Sequence, residues 1–146
     1  MPDGETLALE EVVASVGVDL VNVPRLIRAV DRWGDDLLQR VFTRAERAAA
    51  FGAGGIRFES LAGQFAAKEA VKKVLGSRGH VVGWTEVEVL SGSWGEPHLH
   101  LHGRARAAVQ RCGIADLMVS IAHDGDFAVA IVVASLAGPE HAKEAS

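Results

Sequence analysis

The chain has 146 residues, of which 49% are hydrophobic and 23% are charged, and its formal net charge is −4 at pH 7. This size and apolar content are typical of one globular domain with its own core. No stretch approaches the roughly 18 apolar residues of a membrane span, and the acidic balance argues against general binding to nucleic acid.

The composition predicts an N-terminal arm at 1–14, one domain at 15–136 and a flexible tail at 137–146. The one cysteine, Cys112, excludes an internal disulfide. The acidic N-terminus also lacks the basic start of a signal peptide. Together these features make a reducing cytoplasm the expected location.

The first predicted element is a buried strand at 15–22, followed by helices. Pro24 suits the first turn of a helix that runs to about Trp33, where Gly34 breaks it. A short helix is expected at 35–41. Thr43 then caps another helix, because Glu46 stands three residues later and completes a capping box.

A long helix is predicted from Ser60 to Leu75, ended by Gly76. The pattern then changes to strands with one more helix. We expect strands at 85–90, 98–102, 117–123 and 127–134, a helix at 103–112, and a tight hairpin at Asp124-Gly125-Asp126. One strand, then helices, then hairpins around a helix indicate an α+β fold.

Two carboxylates stand in unexpected places, about fifty residues apart. Asp19 interrupts the apolar run of the first strand, and Glu69 lies in the alanine-rich part of the long helix. A buried charge needs a partner or a metal ion, and two converging carboxylates would suit Mg²⁺, which also takes substrate phosphates. Simpler interpretations stay open: Asp19 could cap the next turn, and Glu69 could form an ordinary i, i+4 pair with Lys73.

The long helix presents small and charged residues side by side. At about 100° per residue, Ala62 and Ala66 share one side with Glu69 and Lys73, so another element or a ligand could approach closely there. Lys68 lies near the apolar side, together with Lys72. Its charged end must either extend to water or meet an anionic group.

Arginines concentrate between Pro24 and Arg57, where seven arginines face four acidic residues. Arg25, Arg28 and Arg32 have i, i+3, i+7 spacing and would share one helix face. This face could dock an acidic partner, or it could simply be solvated.

Two groups of histidines invite different interpretations. His98, His100 and His102 alternate along one strand, roughly 7 Å apart in succession, so three in line cannot reach one small ion and we expect an exposed face. His123 ends an apolar strand just before a turn. It could bind phosphate or transfer a proton, or it could be a hydrogen-bonded turn histidine.

Five segments in chain order resemble the holo-acyl-carrier-protein synthase group of phosphopantetheinyl transferases. Val16–Val21 resembles the group's opening G-hydrophobic-D strand, Phe42–Glu46 its F-T-x-x-E, Leu61–Ala70 its L-A-G-R-F-A-A-K-E-A helix, Gly95–Pro97 its G-K-P, and Val119–His123 its V-S-I-S-H. The similarity covers about residues 15–134, and the helix signature is highly specific.

The resemblance implies a single-domain fold in which the long helix packs on a small, mainly antiparallel sheet. It also implies a homotrimer with sites between subunits. The implied activity is Mg²⁺-dependent transfer of 4′-phosphopantetheine from coenzyme A to a serine of an acyl carrier protein, for fatty-acid or polyketide synthesis. Adenosine 3′,5′-bisphosphate would be the other product.

The resemblance also assigns roles to residues. Asp19 and Glu69 would hold Mg²⁺, Glu69 or a water that it orients would be the base, and Lys73 would stabilise a phosphate oxygen. The predicted coenzyme contacts are Lys68, Lys73, Arg78, Gly95, Pro97 and His123. Arg25 and Arg28 would grip the carrier protein.

Some positions depart from the group's pattern. They are Asn22 in place of glutamate, Gln64 in place of arginine, Glu96 in place of lysine and Asp124 in place of threonine. They leave Asp19, Glu69 and Lys73 intact, and bear on phosphate affinity and carrier choice more than on chemistry. An alternative is a non-catalytic subunit that binds coenzyme A or a carrier. A different Mg²⁺-dependent phosphotransferase on the same scaffold is a third possibility.

Overall fold

The computed structural model of the chain describes residues 13–136. The elements are, in chain order, β1 (Val13–Asn22), α1 (Val23–Val41), α2 (Arg44–Ala50), β2 (Phe51–Gly52), β3 (Gly55–Ile56), α3 (Phe58–Leu75), β4 (Val87–Ser91), β5 (Pro97–Leu101), α4 (Gly103–Arg111), β6 (Ile114–Asp124) and β7 (Phe127–Leu136). Short 3₁₀ helices at Gly76–Val81 and Trp84–Glu86 connect α3 to β4. Most of the predicted arm and the whole predicted tail lie outside the described residues, whereas Val13 and Ala14 belong to β1.

The main sheet has three antiparallel strands in the order β1-β7-β6. β6 and β7 form the predicted hairpin, in which Asp124 pairs with Phe127 across the turn. β4 and β5 form a separate antiparallel pair. The α+β architecture with a long helix on a small antiparallel sheet is therefore confirmed.

Helix α3 packs closely on the main sheet because the facing residues are small. Buried alanines line both sides of the contact: Ala62, Ala66 and Ala70 on α3, and Ala128, Ala130 and Ala134 on β7. At Gly17 on β1, an added Cβ would lie 2.2 Å from the carbonyl oxygen of Ala70. Only glycine permits this approach, and it fixes where Asp19, two residues later on the same face, stands relative to α3.

Helix α1 begins at a side-chain cap and bends where the sequence predicted a break. The Asn22 side chain accepts a hydrogen bond from the Arg25 backbone N–H at 2.9 Å, and Pro24 follows in the first turn. Gly34 has φ 57° and ψ −142°, which separates the helix into the two predicted segments. Thr43 and Glu46 form the predicted capping box of α2.

The prediction of a buried first strand is wrong for one face of β1. Val16, Val18 and Leu20 are exposed on the outer side of the main sheet, while Gly17 and Val21 face α3. The continuous apolar run reflects apolar side chains on both faces, and within the single chain only one face is covered.

The small hairpin β2–β3 was not predicted. Its two strands pair Phe51 with Ile56 and Gly52 with Gly55 directly after α2. The glycines of this stretch were interpreted only as the end of a helix. A ladder of two residue pairs is too short to leave a periodic pattern in the sequence.

Candidate active site

The structure brings Asp19 and Lys73 together across the contact between β1 and α3. The Lys73 ammonium donates to the Asp19 carboxylate at 2.9 Å and to the carbonyl of Val18 at 2.8 Å. The Asp19 side chain is 17% exposed and that of Lys73 is 53% exposed, so the pair is open to solvent on one side. Asp19 is thus neither a fully buried charge nor a helix cap, and Lys73 pairs with Asp19 rather than with Glu69.

Glu69 lies beside this pair, one helical turn before Lys73. Burial, and then the negative charge of Asp19, raise the pKa of the Glu69 carboxyl, although Lys72 and Lys73 partly oppose the shift. Asp19 and Glu69 line one cavity, as the sequence predicted. Because the negative charge of Asp19 disfavours ionisation of Glu69, a cation bound beside Glu69 would stabilise its carboxylate.

The two carboxylates of Asp19 and Glu69 suit Mg²⁺ better than they suit a metal ion that is bound by protein side chains alone. Between residues 13 and 136, no three His, Cys, Asp or Glu side chains are grouped as metal ligands. Mg²⁺ is normally bound by one or two carboxylates, with the remaining positions taken by water and substrate phosphates. Asp19 and Glu69 supply that number of carboxylates and leave room for a phosphorylated substrate.

The cavity next to the carboxylates, here called the α1–α3 cavity, has a volume of about 480 Å³. Its lining residues are Asp19, Leu20, Val21, Asn22, Arg25, Leu26, Ala29, Leu37, Val41, Phe42, Phe65, Glu69 and Trp84. Apart from the polar groups Asp19, Asn22, Arg25 and Glu69, these side chains are apolar or aromatic. The cavity therefore combines a charged edge with an apolar interior.

A second cavity of about 480 Å³, the basic pocket, lies on the other side of Trp84. It is lined by Glu69, Lys72, Lys73, Gly76, Gly79, His80 and Trp84. The Lys72 ammonium lies 3.7 Å from the centre of the Trp84 ring, a cation–π contact that holds the lysine at the pocket wall. Arg78 is exposed on the neighbouring 3₁₀ helix. Two lysines and a histidine make this pocket suitable for anions.

The other predicted coenzyme contacts gather in a third cavity of about 360 Å³, between the N-terminal part of α3 and the β4–β5 turn. Its lining includes Gly95, Pro97 and His123, together with Gln64. The Nε2 atom of His123 lies 2.9 Å from the carbonyl oxygen of Glu59 and can donate to it, which leaves Nδ1 for another partner. The buried Oε1 atom of Gln64 has no hydrogen-bond partner among the described residues.

The carboxylate group and the His123 group lie on different sides of α3. Gln64 and Glu69 are five residues apart, which corresponds to about 140° around the helix at about 100° per residue. In the part of the chain that the structure describes, the two groups line separate cavities. One chain therefore does not join all of the predicted site residues.

Lys68 does not lie where the predicted coenzyme contact requires. Its side chain and that of Glu46 are both 0% exposed. The Lys68 ammonium donates to Glu46 at 2.7 Å, to the Trp84 carbonyl at 3.0 Å and to the Val87 carbonyl at 2.5 Å. Because an ammonium has three donors, none remains for a phosphate. Lys68 holds the core together, and its assignment to coenzyme binding is corrected.

Arg25 and Arg28 are exposed on α1, as is Arg32, so the predicted basic face exists. Arg25 also lines the α1–α3 cavity, at its polar edge. His98, His100 and His102 are exposed, as predicted, and His98 and His102 contact Glu96 and Glu88. Nothing about these histidines indicates a metal site.

Trp84 and Lys72 are site residues that the sequence reasoning did not assign. Trp84 forms part of the wall of both cavities beside Glu69, and it packs against Phe65 with ring centroids 5.3 Å apart. No motif marks Trp84, because its role depends on the return of the chain from α3 to β4.

The comparisons with known proteins agree with this fold and this site. The model of the 4′-phosphopantetheinyl transferase superfamily matches residues 15–132. The holo-[acyl-carrier-protein] synthase of Gloeobacter violaceus is 42% identical over 117 residues, which cover 80% of this chain and 89% of that protein.

Two solved structures that share at least 30% of their sequence with this chain have the same fold. The ACPS–CoA complex of Chronobacterium ammoniagenes aligns with a TM-score of 0.73 and 36% identity, over 85% of this chain and 98% of that one. The holo-(acyl-carrier-protein) synthase of Bacillus anthracis in complex with CoA (3′,5′-ADP) gives a TM-score of 0.69 and 30% identity, over 86% and 99%.

An α+β fold with paired carboxylates beside a basic pocket defines the class of a phosphate-handling transferase. The chain belongs to the 4′-phosphopantetheinyl transferase superfamily. Among residues 13–136, no helix has both the length and the apolar character needed to cross a bilayer.

Proposed function

We propose that this protein is a holo-acyl-carrier-protein synthase, an enzyme that transfers 4′-phosphopantetheine from coenzyme A to a serine of an acyl carrier protein. The observation that carries the proposal is that two distant segments bring three charged residues together: Asp19 and Glu69 line one cavity, and the Lys73 ammonium donates to Asp19 at 2.9 Å. Coenzyme A is the donor, in agreement with the coenzyme complexes of related structures. Adenosine 3′,5′-bisphosphate leaves as the second product.

Asp19 and Glu69 are the proposed Mg²⁺ ligands. The raised pKa of Glu69 supports this role, because a cation would relieve the repulsion between the two carboxylates. The ion, when bound, supplies positive charge next to the phosphate oxygens of the donor.

Glu69 and Lys73 are the proposed catalytic groups at the transferred phosphate. Glu69, or a water that it orients, is proposed to take the serine proton, because its carboxylate lies at the charged edge of the cavity, where the transferred phosphate would bind. The Lys73 side chain is 53% exposed beside Asp19, so its ammonium is open to a phosphate oxygen and would stabilise the negative charge there. Glu69 would thus accept a proton from the serine, and Lys73 would stabilise negative charge on the phosphate.

Gly95 and Pro97 are proposed to border the adenine of the coenzyme, and His123 and Arg78 are proposed to contact its phosphates. The third cavity supports these assignments to Gly95, Pro97 and His123, because it brings the backbone of a turn together with hydrogen-bonding side chains. Arg78 is exposed near the basic pocket, where its charge can attract an anion.

The carrier protein is proposed to dock on the exposed face of α1 through Arg25 and Arg28. Reversing Arg28 alone to glutamate should weaken carrier binding while coenzyme A binding is retained, because Arg28 is exposed on α1 and is not among the residues that line the cavities described above. Arg25 lines the polar edge of the α1–α3 cavity, so its reversal would test both binding events together. Equal loss of both affinities in titration calorimetry would contradict this docking surface.

We propose that the enzyme is a homotrimer with sites between subunits. The outer face of the main sheet supports this assembly, since Val18 pairs with Ile131, and both are exposed apolar residues. Contiguous apolar patches of this kind commonly mark protein interfaces. The separation of His123 from Glu69 within one chain also supports it, because a neighbouring subunit would bring the two groups together. The cytoplasm stays the predicted location.

The test is mass spectrometry of intact apo carrier proteins incubated with this protein, coenzyme A and Mg²⁺, with EDTA as the control. A metal-dependent gain of one phosphopantetheine, lost in Asp19→Ala and in Glu69→Ala, is the expected result. Wild-type rates in either variant would contradict the metal site. Bound coenzyme A with no transfer to any carrier would favour the non-catalytic alternative, and release of a different product would favour another phosphotransferase.

A further inference from the structure

The turn between β4 and β5 carries the most exposed large apolar side chain of residues 13–136. Trp94 lies in this turn and is 93% exposed, whereas the other exposed large apolar side chains range from 40% to 67%. A single exposed apolar residue is common on protein surfaces and does not by itself indicate a site. The position of Trp94 is different, because its turn contributes Ser91, Gly95 and Pro97 to the lining of the third cavity.

Hydrogen bonds fix the backbone of this turn. The Gly92 N–H donates to the Glu96 carbonyl at 2.7 Å, and the Gly95 N–H donates to the Gly92 carbonyl at 3.0 Å. The Trp94 N–H donates to the Glu96 carboxylate at 2.9 Å, and the other oxygen of that carboxylate lies 3.0 Å from Nε2 of His98. The turn therefore holds the Trp94 backbone in a defined position, with the indole in solvent.

The space beside this turn is open and suits a flat ligand. Gly95, whose Cα is about 3.8 Å from that of Trp94, lines the third cavity. An added Cβ at Gly95 would meet nothing within 4 Å. The cavity combines apolar surface with hydrogen-bonding groups, and its lining residues are Ser60, Gly63, Gln64, Val89, Leu90, Ser91, Gly95, Pro97, Ile121 and His123. Such a lining can accommodate a nucleobase, which has apolar faces and a polar edge.

We propose that the Trp94 indole stacks on the adenine of the coenzyme and covers it at the mouth of the third cavity. This inference rests on the proposed function, which places the adenine beside Gly95 and Pro97. Trp94 adds a large aromatic surface next to that place, and aromatic rings prefer offset-stacked or edge-to-face contacts. Because every base has a π-face, stacking tolerates different bases. Trp94 therefore adds affinity for the donor and for the nucleotide product rather than selecting the base.

Glu96 is the positioning residue for Trp94. Its carboxylate accepts a hydrogen bond from the Trp94 backbone, and its carbonyl accepts one from Gly92. An added Cβ at Gly92 would lie 2.0 Å from Oε1 of Glu96, so the carboxylate packs directly on the turn. The lysine of the family pattern at this position has no side-chain acceptor and could not make the bond to Trp94. The departure at Glu96 thus fixes the turn that carries the indole.

The experiment is calorimetric titration with adenosine 3′,5′-bisphosphate. Trp94→Ala is expected to raise its Kd by about tenfold or more, whereas Trp94→Phe, which keeps an aromatic face, should stay within about threefold of the wild type. Trp33→Ala is the matched control, because Trp33 is 59% exposed on α1 and lines none of the cavities described above. It should keep the wild-type Kd. A wild-type Kd in Trp94→Ala would overturn the inference.

Tryptophan fluorescence adds a readout that a purely structural role would not change. The nucleotide should quench the emission of the wild-type protein more than that of Trp94→Phe, because stacking brings the Trp94 indole against the base. Glu96→Ala should reduce both the quenching and the affinity without changing the thermal unfolding temperature, since Glu96 is exposed. Glu96→Gln should restore both, because its amide oxygen still accepts from the Trp94 N–H.

The inference and the proposed function fail in different ways. A change of oligomeric state in Trp94→Ala would identify Trp94 as a subunit contact, and weaker carrier binding with an unchanged nucleotide Kd would identify it as a carrier contact. Either result would overturn the stacking role. Nucleotide binding that depends on Trp94, with no transfer to any carrier, would support the stacking role but overturn the proposed function. A wild-type protein that bound neither coenzyme A nor the nucleotide would overturn both.

Discussion

The buried Lys68–Glu46 pair gives the sharpest prediction for stability. Lys68→Met removes the ammonium but keeps an unbranched apolar side chain in its place. Glu46 would then remain 0% exposed without its cation, and the carbonyls of Trp84 and Val87 would each lose a donor. Removing one partner of a buried ion pair typically costs about 3–5 kcal/mol, because it leaves an uncompensated charge.

The pair cannot be judged by its Coulomb attraction alone. Burial lowers the pKa of Lys68, and the attraction of Glu46 opposes that shift, so the cost of desolvation offsets much of the gain. Glu46 also accepts hydrogen bonds from the backbone N–H groups of Thr43 and Val89 at 2.8 and 2.9 Å. These bonds join α2, α3 and β4. Removing Lys68 should therefore disturb three elements at once.

The measurement is urea unfolding at neutral pH, with the free energy of unfolding obtained by linear extrapolation. Lys72→Met is the matched control, because Lys72 lies on the same helix and its ammonium lies over the face of the Trp84 ring, an interaction worth about 0.5–1 kcal/mol when partly exposed. If Lys68→Met cost no more than Lys72→Met, the buried pair would not be the link between these elements.

Three further changes test other parts of the molecule. Gly17→Ala should destabilise the fold by about 1–3 kcal/mol in thermal unfolding, because the new Cβ meets the Ala70 carbonyl, whereas Gly54→Ala has open space and should be nearly neutral. In EDTA, the raised pKa of Glu69 makes the folded chain bind a proton more tightly than the unfolded chain. The free energy of unfolding should therefore fall as the pH rises from the ordinary pKa of a glutamate to the raised pKa of Glu69. Glu69→Gln should remove this pH dependence. In calorimetry, the Mg²⁺ affinity should instead rise over the same window, as the proton leaves Glu69. Ile131→Asp, on the outer sheet face, should shift the protein to monomers in analytical ultracentrifugation, and an unchanged oligomer would contradict the proposed interface.

Local signals in the sequence were sufficient for most of the element boundaries. The capping box at Thr43, the break at Gly34 and the stop at Gly76 depend on residues within one or two turns of the boundary, and all three occur in the structure. The hairpin between β6 and β7 is equally local. Propensities and turn chemistry of this kind can be read without knowing the rest of the fold.

The roles of Lys68 and Trp84 could not be derived in that way. Lys68 meets Glu46, which is 22 residues earlier, and its other contacts are backbone carbonyls that carry no sequence signal. The helix pattern showed only that its charged end lies near an apolar side. Whether that end meets a phosphate or a buried carboxylate is decided by how α2 and β4 return to α3, which is a property of the tertiary structure.

The exposure of one face of β1 also depends on tertiary structure and could not be predicted from the local sequence. The run Val16–Val21 is apolar on both faces, and in an isolated chain this pattern predicts a strand covered on both sides. In the single chain, only the face towards α3 is covered. The apolar residues of the other face are therefore typical of a strand that is covered on both sides, although nothing within this chain covers them. The remaining cover would come from other subunits, and the surface that they would cover begins at Leu20, next to Asp19.

This adjacency has a consequence for how catalysis depends on assembly. Leu20 is 60% exposed on the outer face and also lines the α1–α3 cavity, so a subunit that packs on that face would contact the edge of the carboxylate site. His123, whose group is separated from Glu69 by about 140° around α3, lies at the end of β6, where it lines a small cavity together with Leu20. In the proposed homotrimer, a neighbour that covers Leu20 would bring its own His123 group to the carboxylates. If the proposed assembly is right, dissociation should abolish transfer even where each chain remains folded, because the apolar interface and the complete site would form together.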